Sequence, residues 1–342
     1  MVKKMILWFT AVAGLSMGTL AENESRPSAS EVLTKYNEMV SRFSCLSMQI
    51  HTRWSGTPLD LKYTVHEIDV RVSRNGQDLD LFGTEKISDA NGVCVSEKVI
   101  CDMFINGKNY TVYKWPVGKK PKRAQISDNN EYKEDIQRIF LEASDFGCFI
   151  WSRLDGCEGR TIPELLSMAA DLELSGEMVE LCGVSCYVLR GSTKYGVITA
   201  WIAPEKSYNA VKWMVKKGPN DLYNDRRIVH KEEVTRIFEA VDFIKIDDVF
   251  VPSKGRFTAP NRDADGTQTL IYEFEVSDIK LNPDFATLGA FKFKIPDGTP
   301  VMVTEHPGIR YVWKDGRAVP DVEGLAFEEI DKILDQSEPC DD

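Results

Sequence analysis

Residues 269–276, TLIYEFEV, decide how the rest of the chain is read. Leu270, Tyr272, Phe274 and Val276 alternate with Thr269, Ile271, Glu273 and Glu275. That period of two marks a strand with one face in a core and the other in water. One-sided alternation belongs to antiparallel sheet, because parallel strands are covered on both faces and read as unbroken apolar runs. Working back, strand-like segments recur at 177–181, 186–191, 197–202, 210–216, 227–238 and 249–257. Further back, Leu61, Tyr63 and Val65 share one parity while Ile68, Val70 and Val72 take the other, which places a bulge near His66. Asn75-Gly76 and Asn106-Gly107 are hairpin turns, the second opening the aromatic strand 105–115 (INGKNYTVYKW). The basic loop 116–122 (PVGKKPK) reads as a solvated tip.

Few helices interrupt this pattern. Ser28 and Glu31 have capping-box spacing, and Val32, Leu33, Tyr36, Met39, Val40 and Phe43 follow on one apolar face. Tyr132, Ile136, Ile139, Phe140 and Ala143 form a second stripe. Thr161-Ile-Pro-Glu164 is another capping box, with Pro in the first turn, leading into Leu165, Leu166, Ala169 and Leu172. Phe327, Ile330, Ile333 and Leu334 place a helix in an acidic tail, 321–342. Many strands, one early helix and two mid-chain helices give an α+β fold with a strongly curved antiparallel sheet. One extended domain over 22–320, with a helical insertion at about 130–172, is expected.

Length and composition narrow the function. At 342 residues the chain buries a large core without metal or disulfide. A net charge of −11 offers no basic face to a polyanion, so no nucleic-acid partner is expected. Lys3 and Lys4 precede an apolar run of 11 residues, 5–15 (MILWFTAVAGL), and small residues at Thr19 and Ala21. This is the pattern of a signal peptide over 1–21. The run is too short to span a bilayer, and no Cys stands at the cleavage point, so neither a stable membrane anchor nor a lipobox is expected. A periplasmic or secreted, soluble monomer follows. With Lys3 and Lys4 removed, 40 basic residues face 53 acidic ones. Eight cysteines remain, and close spacing suggests Cys94–Cys101, Cys148–Cys157 and Cys182–Cys186 as disulfides, with buried free thiols as the equal alternative.

Catalytic motifs are scarce. His51, His66, His230 and His306 stand outside any HExxH, and no GxSxG, Walker A or GxGxxG occurs. No CxxC pair suits zinc, and Asp263 and Asp265 read as a polar turn rather than a calcium loop. Neither enzyme activity nor a metal or cofactor is expected. What remains is 34 aromatic rings, many of them on strands, which either fill a solid core or line a concavity for an apolar guest.

In this light several segments resemble the periplasmic lipoprotein carriers and their outer-membrane receptors, the LolA/LolB fold. The stretch 28–54 is similar to that family's opening helix and first strand. Asn106-Gly107-Lys108 with Tyr113, Trp115 and Pro116 resembles its D-G-K-x-L-W-x-Y-x-P strand. Residues 291–301 (FKFKIPDGTPV) resemble its closing F-x-F-x-P-P-x-G-x-x-V segment. Between them, 185–189 (SCYVL) and 199–205 (TAWIAPE) are similar to the hairpin in the large domain of periplasmic sigma-factor regulators. The resemblance implies an open half-barrel with helices over its concave face, holding acyl chains between sheet and helices. It implies lipid or acylated-protein ligands, with an envelope-protein partner as the alternative, a sensor module. By strand position, Arg53 or Arg71 would take the place of the carriers' cavity arginine. The expected wall is Trp54, Tyr63, Tyr113, Trp115, Trp201, Tyr272 and Phe274. The expected lids are helices 28–43, through Leu33, Tyr36 and Val40, and 161–172, through Leu165, Leu166 and Ala169.

Overall fold

The structure is a computed structural model. It describes residues 26–55, 65–76, 78–89, 91–127, 157, 160–223, 226–227, 233–260, 269–292, 295–306 and 308–321. The predicted signal peptide, the stripe at 132–143, Tyr63, Cys148, His230, Asp263, Asp265, Cys340 and the tail from 322 onward lie outside those residues.

Strands run in chain order as β1 Cys45–Ser55, β2 Val65–Asn75, β3 Asp78–Ser88, β4 Cys94–Ile105, β5 Lys108–Pro116 and β6 Ala124–Ser127. Next come β7 Glu173–Leu174, β8 Val179–Leu181, β9 Val184–Thr193, β10 Gly196–Ala203 and β11 Asn209–Lys217. A small separate ladder, β12 Leu222–Tyr223 with β13 Arg226–Arg227, follows. The chain then returns as β14 Val234–Ile246, β15 Val249–Pro260 and β16 Thr269–Leu281, and ends in β17 Pro300–Val303, β18 Tyr311–Lys314 and β19 Arg317–Pro320. The helices are α1 Ala29–Ser41, α2 Ile162–Ser167 and α3 Phe285–Leu288.

All strands but β12 and β13 form one unclosed, curved sheet. From β9, with β7 and β8 on its outer side, the order runs β10, β11, β14, β15, β16, β1, β2, β3, β4, β5, β6, β17, β18, β19. The expected α+β half-barrel is the observed fold, with one correction. The sheet is mixed, because β6 and β17 run parallel through Val301–Ala124 and Val303–Ile126. Curvature comes from bulges, which add a residue to one strand and bend it. They occur in β16 between Ser277 and Lys280, in β5 between Val112 and Trp115, and on both strands of the β14–β15 pair, between Ala240 and Asp242 and between Pro252 and Lys254. β2 is unbroken against both neighbours from Val65 onward, so no bulge occurs there in the described residues.

Both predicted capping boxes form. The Ser28 hydroxyl accepts from the Glu31 N–H while the Glu31 carboxylate accepts from the Ser28 N–H, and Thr161 and Glu164 repeat the arrangement on α2. α1 lays Val32, Leu33, Tyr36, Met39 and Val40 onto the concave face, and α2 packs beside it. Gly191 on β9 permits the approach of α2's end. A Cβ there would stand 2.5 Å from the Ala169 Cβ.

The core is divided between the two faces of the sheet. The main cluster fills the concave side, from Leu46, Met48 and Ile50 on β1 to Ile198, Ala200 and Ile202 on β10. Neighbouring residues enter other clusters on the convex side. Phe82 follows Leu81, and Cys101 follows Ile100, into a cluster with Trp115, Val301, Tyr311 and Trp313. Val211 follows Ala210 into a third, with Cys186, Ala203 and Trp201.

Candidate functional site

The concave wall is built by register. Trp213 on β11 is paired with Phe238 on β14, Phe238 with Phe257 on β15, and Phe257 with Tyr272 on β16. Ring centroids are 5.6 Å apart for Trp213–Phe238, 5.9 Å for Trp213–Phe257, 6.0 Å for Phe257–Tyr272 and 6.1 Å for Phe238–Phe274. These spacings lie within the range of favourable aromatic pairs. Phe274 reaches Phe238 because it faces Gly255, where any Cβ would stand 2.2 Å from its Cζ. Trp213, Phe238, Phe257 and Phe274 are all buried, and Tyr272 is half-buried.

Three polar atoms interrupt this apolar surface without a hydrogen-bond partner among the described residues. They are Thr52 Oγ1 on β1, Ser253 Oγ on β15 and Trp213 Nε1. A buried polar atom left unpaired costs about 1–3 kcal/mol, so each is an unusual feature of a wall this apolar. Arg236 and Lys217 are also buried, two residues before Phe238 and four after Trp213. Lys217 Nζ lies 3.4 Å from the Leu222 carbonyl and 3.5 Å from Cys157 Sγ. Cations on the inward parity of β11 and β14 were readable as charged residues at apolar-phase positions, but sequence reasoning passed over them.

On the concave face, α1 is held chiefly by its five apolar side chains. Two polar contacts tie down its exposed edge. Lys35 Nζ donates to Tyr208 Oη at 3.0 Å and lies 4.7 Å from that ring, a contact that holds the Lys35 ammonium above its usual pKa. Arg42 reaches Asp248 at 3.2 Å, with both groups at least half exposed, so it adds little.

Placement of the predicted residues is uneven. Tyr272 and Phe274 stand together in the wall. The Trp54 backbone pairs with Tyr272, while the side chains of Trp54 and Tyr113, and all of Tyr63, lie outside the described residues. Trp115 and Trp201 do not join them. Trp115 is buried on the convex side under β17 and β18, and Trp201 is half-buried there, with Lys212 Nζ 5.6 Å from its ring centroid. Leu33, Tyr36 and Val40 face the sheet, Leu165 and Leu166 are fully buried, and Ala169, just past the end of α2, lies against Gly191. Arg53 is exposed on the convex parity. Arg71 is also convex, bonded to Asp80 at 3.3 Å and to the Leu288 carbonyl at 3.2 Å. Neither reaches the concave wall. Phe238, Phe257 and Trp213 were missed as wall residues, although each sits at an apolar phase of its own strand.

Cysteine geometry corrects two pairings. Cys94 and Cys101 lie seven residues apart on one strand, roughly 23 Å, far beyond disulfide reach. Cys182 and Cys186 are both free thiols, and burial, with Glu205 and Cys182 nearby, pushes the Cys186 thiol up to about 11. Cys157 is buried beside Lys217.

The described histidines stand apart from one another. His51 is exposed, His66 Nδ1 is 3.9 Å from a Glu85 oxygen, and His306 leans towards the Tyr311 ring. No group of three or more His, Cys, Asp or Glu there could hold a metal. No helix there is long and apolar enough to cross a membrane.

No family model matches the chain, and no curated protein matches it. Among solved structures it is similar to a DUF1329-family protein from Desulfovibrio piger, at 11% identity and a TM-score of 0.38, over 76% of this chain and 95% of that one. It is similar to a LolA-superfamily protein from Nitrosomonas europaea, at 11% identity and a TM-score of 0.36, over 75% and 95%. A third is an outer-membrane lipoprotein-sorting protein domain from Vibrio parahaemolyticus, at 8% identity and a TM-score of 0.39, over 75% and 94%.

Proposed function

We propose that this chain is an exported, non-enzymatic binding protein that holds an acyl chain or similar apolar guest between α1 and the concave sheet. The observation that carries the reading is the aromatic wall from Trp213 to Tyr272, with Thr52, Ser253 and Trp213 atoms unpartnered among the described residues, in the one apolar cluster that also receives the inner faces of α1 and α2. The magnitudes are compatible with exchange. Burying a dozen methylenes is worth about 10 kcal/mol, and re-exposing five apolar helix side chains costs a similar amount. A guest therefore replaces α1 at small net cost, and a hydroxyl or carbonyl on it would satisfy the bare polar atoms. The leader over 1–21 would deliver the chain to the periplasm or beyond.

The test is titration with a fluorescent long-chain fatty acid, alongside native mass spectrometry of the protein as purified. Saturable one-to-one binding that quenches Trp213 fluorescence, and loses that quench in Trp213→Phe, is the expected result. Absence of saturable binding together with absence of co-purifying lipid would refute the reading.

A docking role has one observation of its own. On edge strand β8, Val179 is 43% exposed beside Met178 at 42%, in a position where an extended segment could pair. A pull-down from envelope extract, repeated with residues 321–342 deleted, distinguishes an edge-docked partner from one held by the acidic tail.

A further inference from the structure

We infer that the tip formed by the β3–β4 turn and the β5–β6 loop is a docking surface for an anionic phospholipid bilayer. The inference stands apart from guest binding. Val93, Val95 and Val117 are 60%, 49% and 47% exposed, three of the most exposed large apolar side chains in the described structure. They are neighbours. The Val117 N–H donates to the Glu97 carbonyl, which places Val117 opposite Glu97, two residues along β4 from Val95. Val93 closes the adjoining turn, where the Asp89 carboxylate accepts from the N–H groups of Asn91 and Val93. Around these valines lie Lys98, Lys119, Lys120, Lys122 and Arg123 against the acids Asp89 and Glu97, on a chain whose net charge is −11. Lys119, Lys120 and Lys122 are exposed and pair with no carboxylate among the described residues.

Aliphatic groups ringed by lysines match the chemistry of a bilayer surface. The valines enter the headgroup boundary while each ammonium gains from the negative surface potential. A compact anion would engage the lysines but leave the valines in water. A protein partner would need a larger complementary apolar area than three valines at a hairpin tip offer.

Register fixes where this tip stands. Phe257 pairs with Tyr272, Tyr272 with Trp54, Trp54 with His66, His66 with Ile87, and Ile87 with Ser96. Val95 is the residue beside that row, so the basic tip lies at the same end of the sheet as Tyr272 and Phe257. Docking there sets the aromatic end of the concave wall against the bilayer.

The experiment is flotation of the purified protein with vesicles of phosphatidylglycerol and phosphatidylethanolamine, against vesicles of phosphatidylcholine alone. Binding to the anionic vesicles only, weakening as salt is raised, is expected. Lys119→Gln/Lys120→Gln/Lys122→Gln lowers the partition coefficient about a hundredfold. The matching arginine variant retains binding, and Val93→Ser/Val95→Ser/Val117→Ser lowers it about tenfold or more. Exposed lysines elsewhere, changed as Lys245→Gln/Lys280→Gln/Lys314→Gln, leave it unaltered. Fatty-acid titration of the glutamine variant matches the parent, so failure here is separable from failure of the guest-binding reading. No binding to anionic vesicles, equal binding by the glutamine variant, equal loss in the distant-lysine control, or displacement by glycerol phosphate at matched ionic strength overturns the inference.

Discussion

Gly255→Ala isolates the packing that shapes the concave wall. Gly255 lies mid-strand on β15, outside the left-handed region, so its backbone suits any residue. The obstacle is steric. An added Cβ would stand 2.2 Å from Phe274 Cζ and 2.6 Å from the Glu239 carbonyl oxygen, where ordinary contact begins near 3.4 Å. The carbonyl belongs to the β14 backbone and cannot swing away. The Phe274 ring must therefore move by more than an ångström, out of its near-parallel stack (7°) on Phe238. Overpacking of this kind costs about 1–3 kcal/mol, and the lost ring pair about 0.5–1.5 kcal/mol more. Against this, replacing Gly recovers about 0.4–1 kcal/mol of unfolded-chain entropy. The net is about 2 kcal/mol of destabilisation. It is read as a lowered urea midpoint with an unchanged m value. Phe274→Leu, made alone and together with Gly255→Ala, completes the cycle, and the double variant should be less destabilised than the sum by at least about 1 kcal/mol. A Gly255→Ala loss within about 0.5 kcal/mol of zero, or strict additivity, would refute the claim that this glycine exists to seat the ring.

Three further outcomes follow from features already described. Ser28→Ala and Thr161→Ala each remove a reciprocal cap and should cost about 1 kcal/mol, measured by urea unfolding. The Glu239 carboxyl is held below its usual range by the Lys212 hydrogen bond at 2.8 Å, helped by Arg256 at 2.9 Å. A depressed folded pKa adds stability above the unfolded value and loses it as pH falls through the folded one. The melting-temperature gap between the parent and Glu239→Gln should therefore close on acidification, and a constant gap would deny the linkage. Cys186, with its thiol pushed up to about 11, should resist maleimide in the native protein while exposed Cys182 and Cys94 react, and should label only on unfolding.

Local signals in the sequence were reliable where one residue sets one feature. Ser28 with Glu31 and Thr161 with Glu164 announced both caps, and Asn106-Gly107 announced a turn that the structure closes with φ of 51° and 80°. Alternation in 269–276 correctly placed Tyr272 and Phe274 inward together. Parity failed where both faces are covered. The run 196–203 (GVITAWIA) is apolar throughout because β10 meets the main core on one side and the Cys186 cluster on the other, so Trp201 carried no visible facing. Trp115 was misplaced for a related reason. Its cover comes from β17 and β18, nearly two hundred residues later, and nothing near 115 encodes that. The parallel β6–β17 pairing was equally invisible, since it depends on where two distant short strands meet rather than on either one's pattern.

The position of β1 has a consequence for how the chain reaches this state. Its Cys45–Ser55 backbone is bonded on one side to β2, the next strand in sequence, and on the other to β16 at 269–281. During vectorial synthesis the first flank forms as soon as a hairpin emerges, but the second waits for more than two hundred residues to follow. Until then a long row of unsatisfied amides bordering Leu46, Met48 and Ile50 is open to any passing strand. High contact order of this kind makes completion slow and leaves the nascent chain vulnerable to self-association, so a holdase that shields β1 would raise the yield of folded protein.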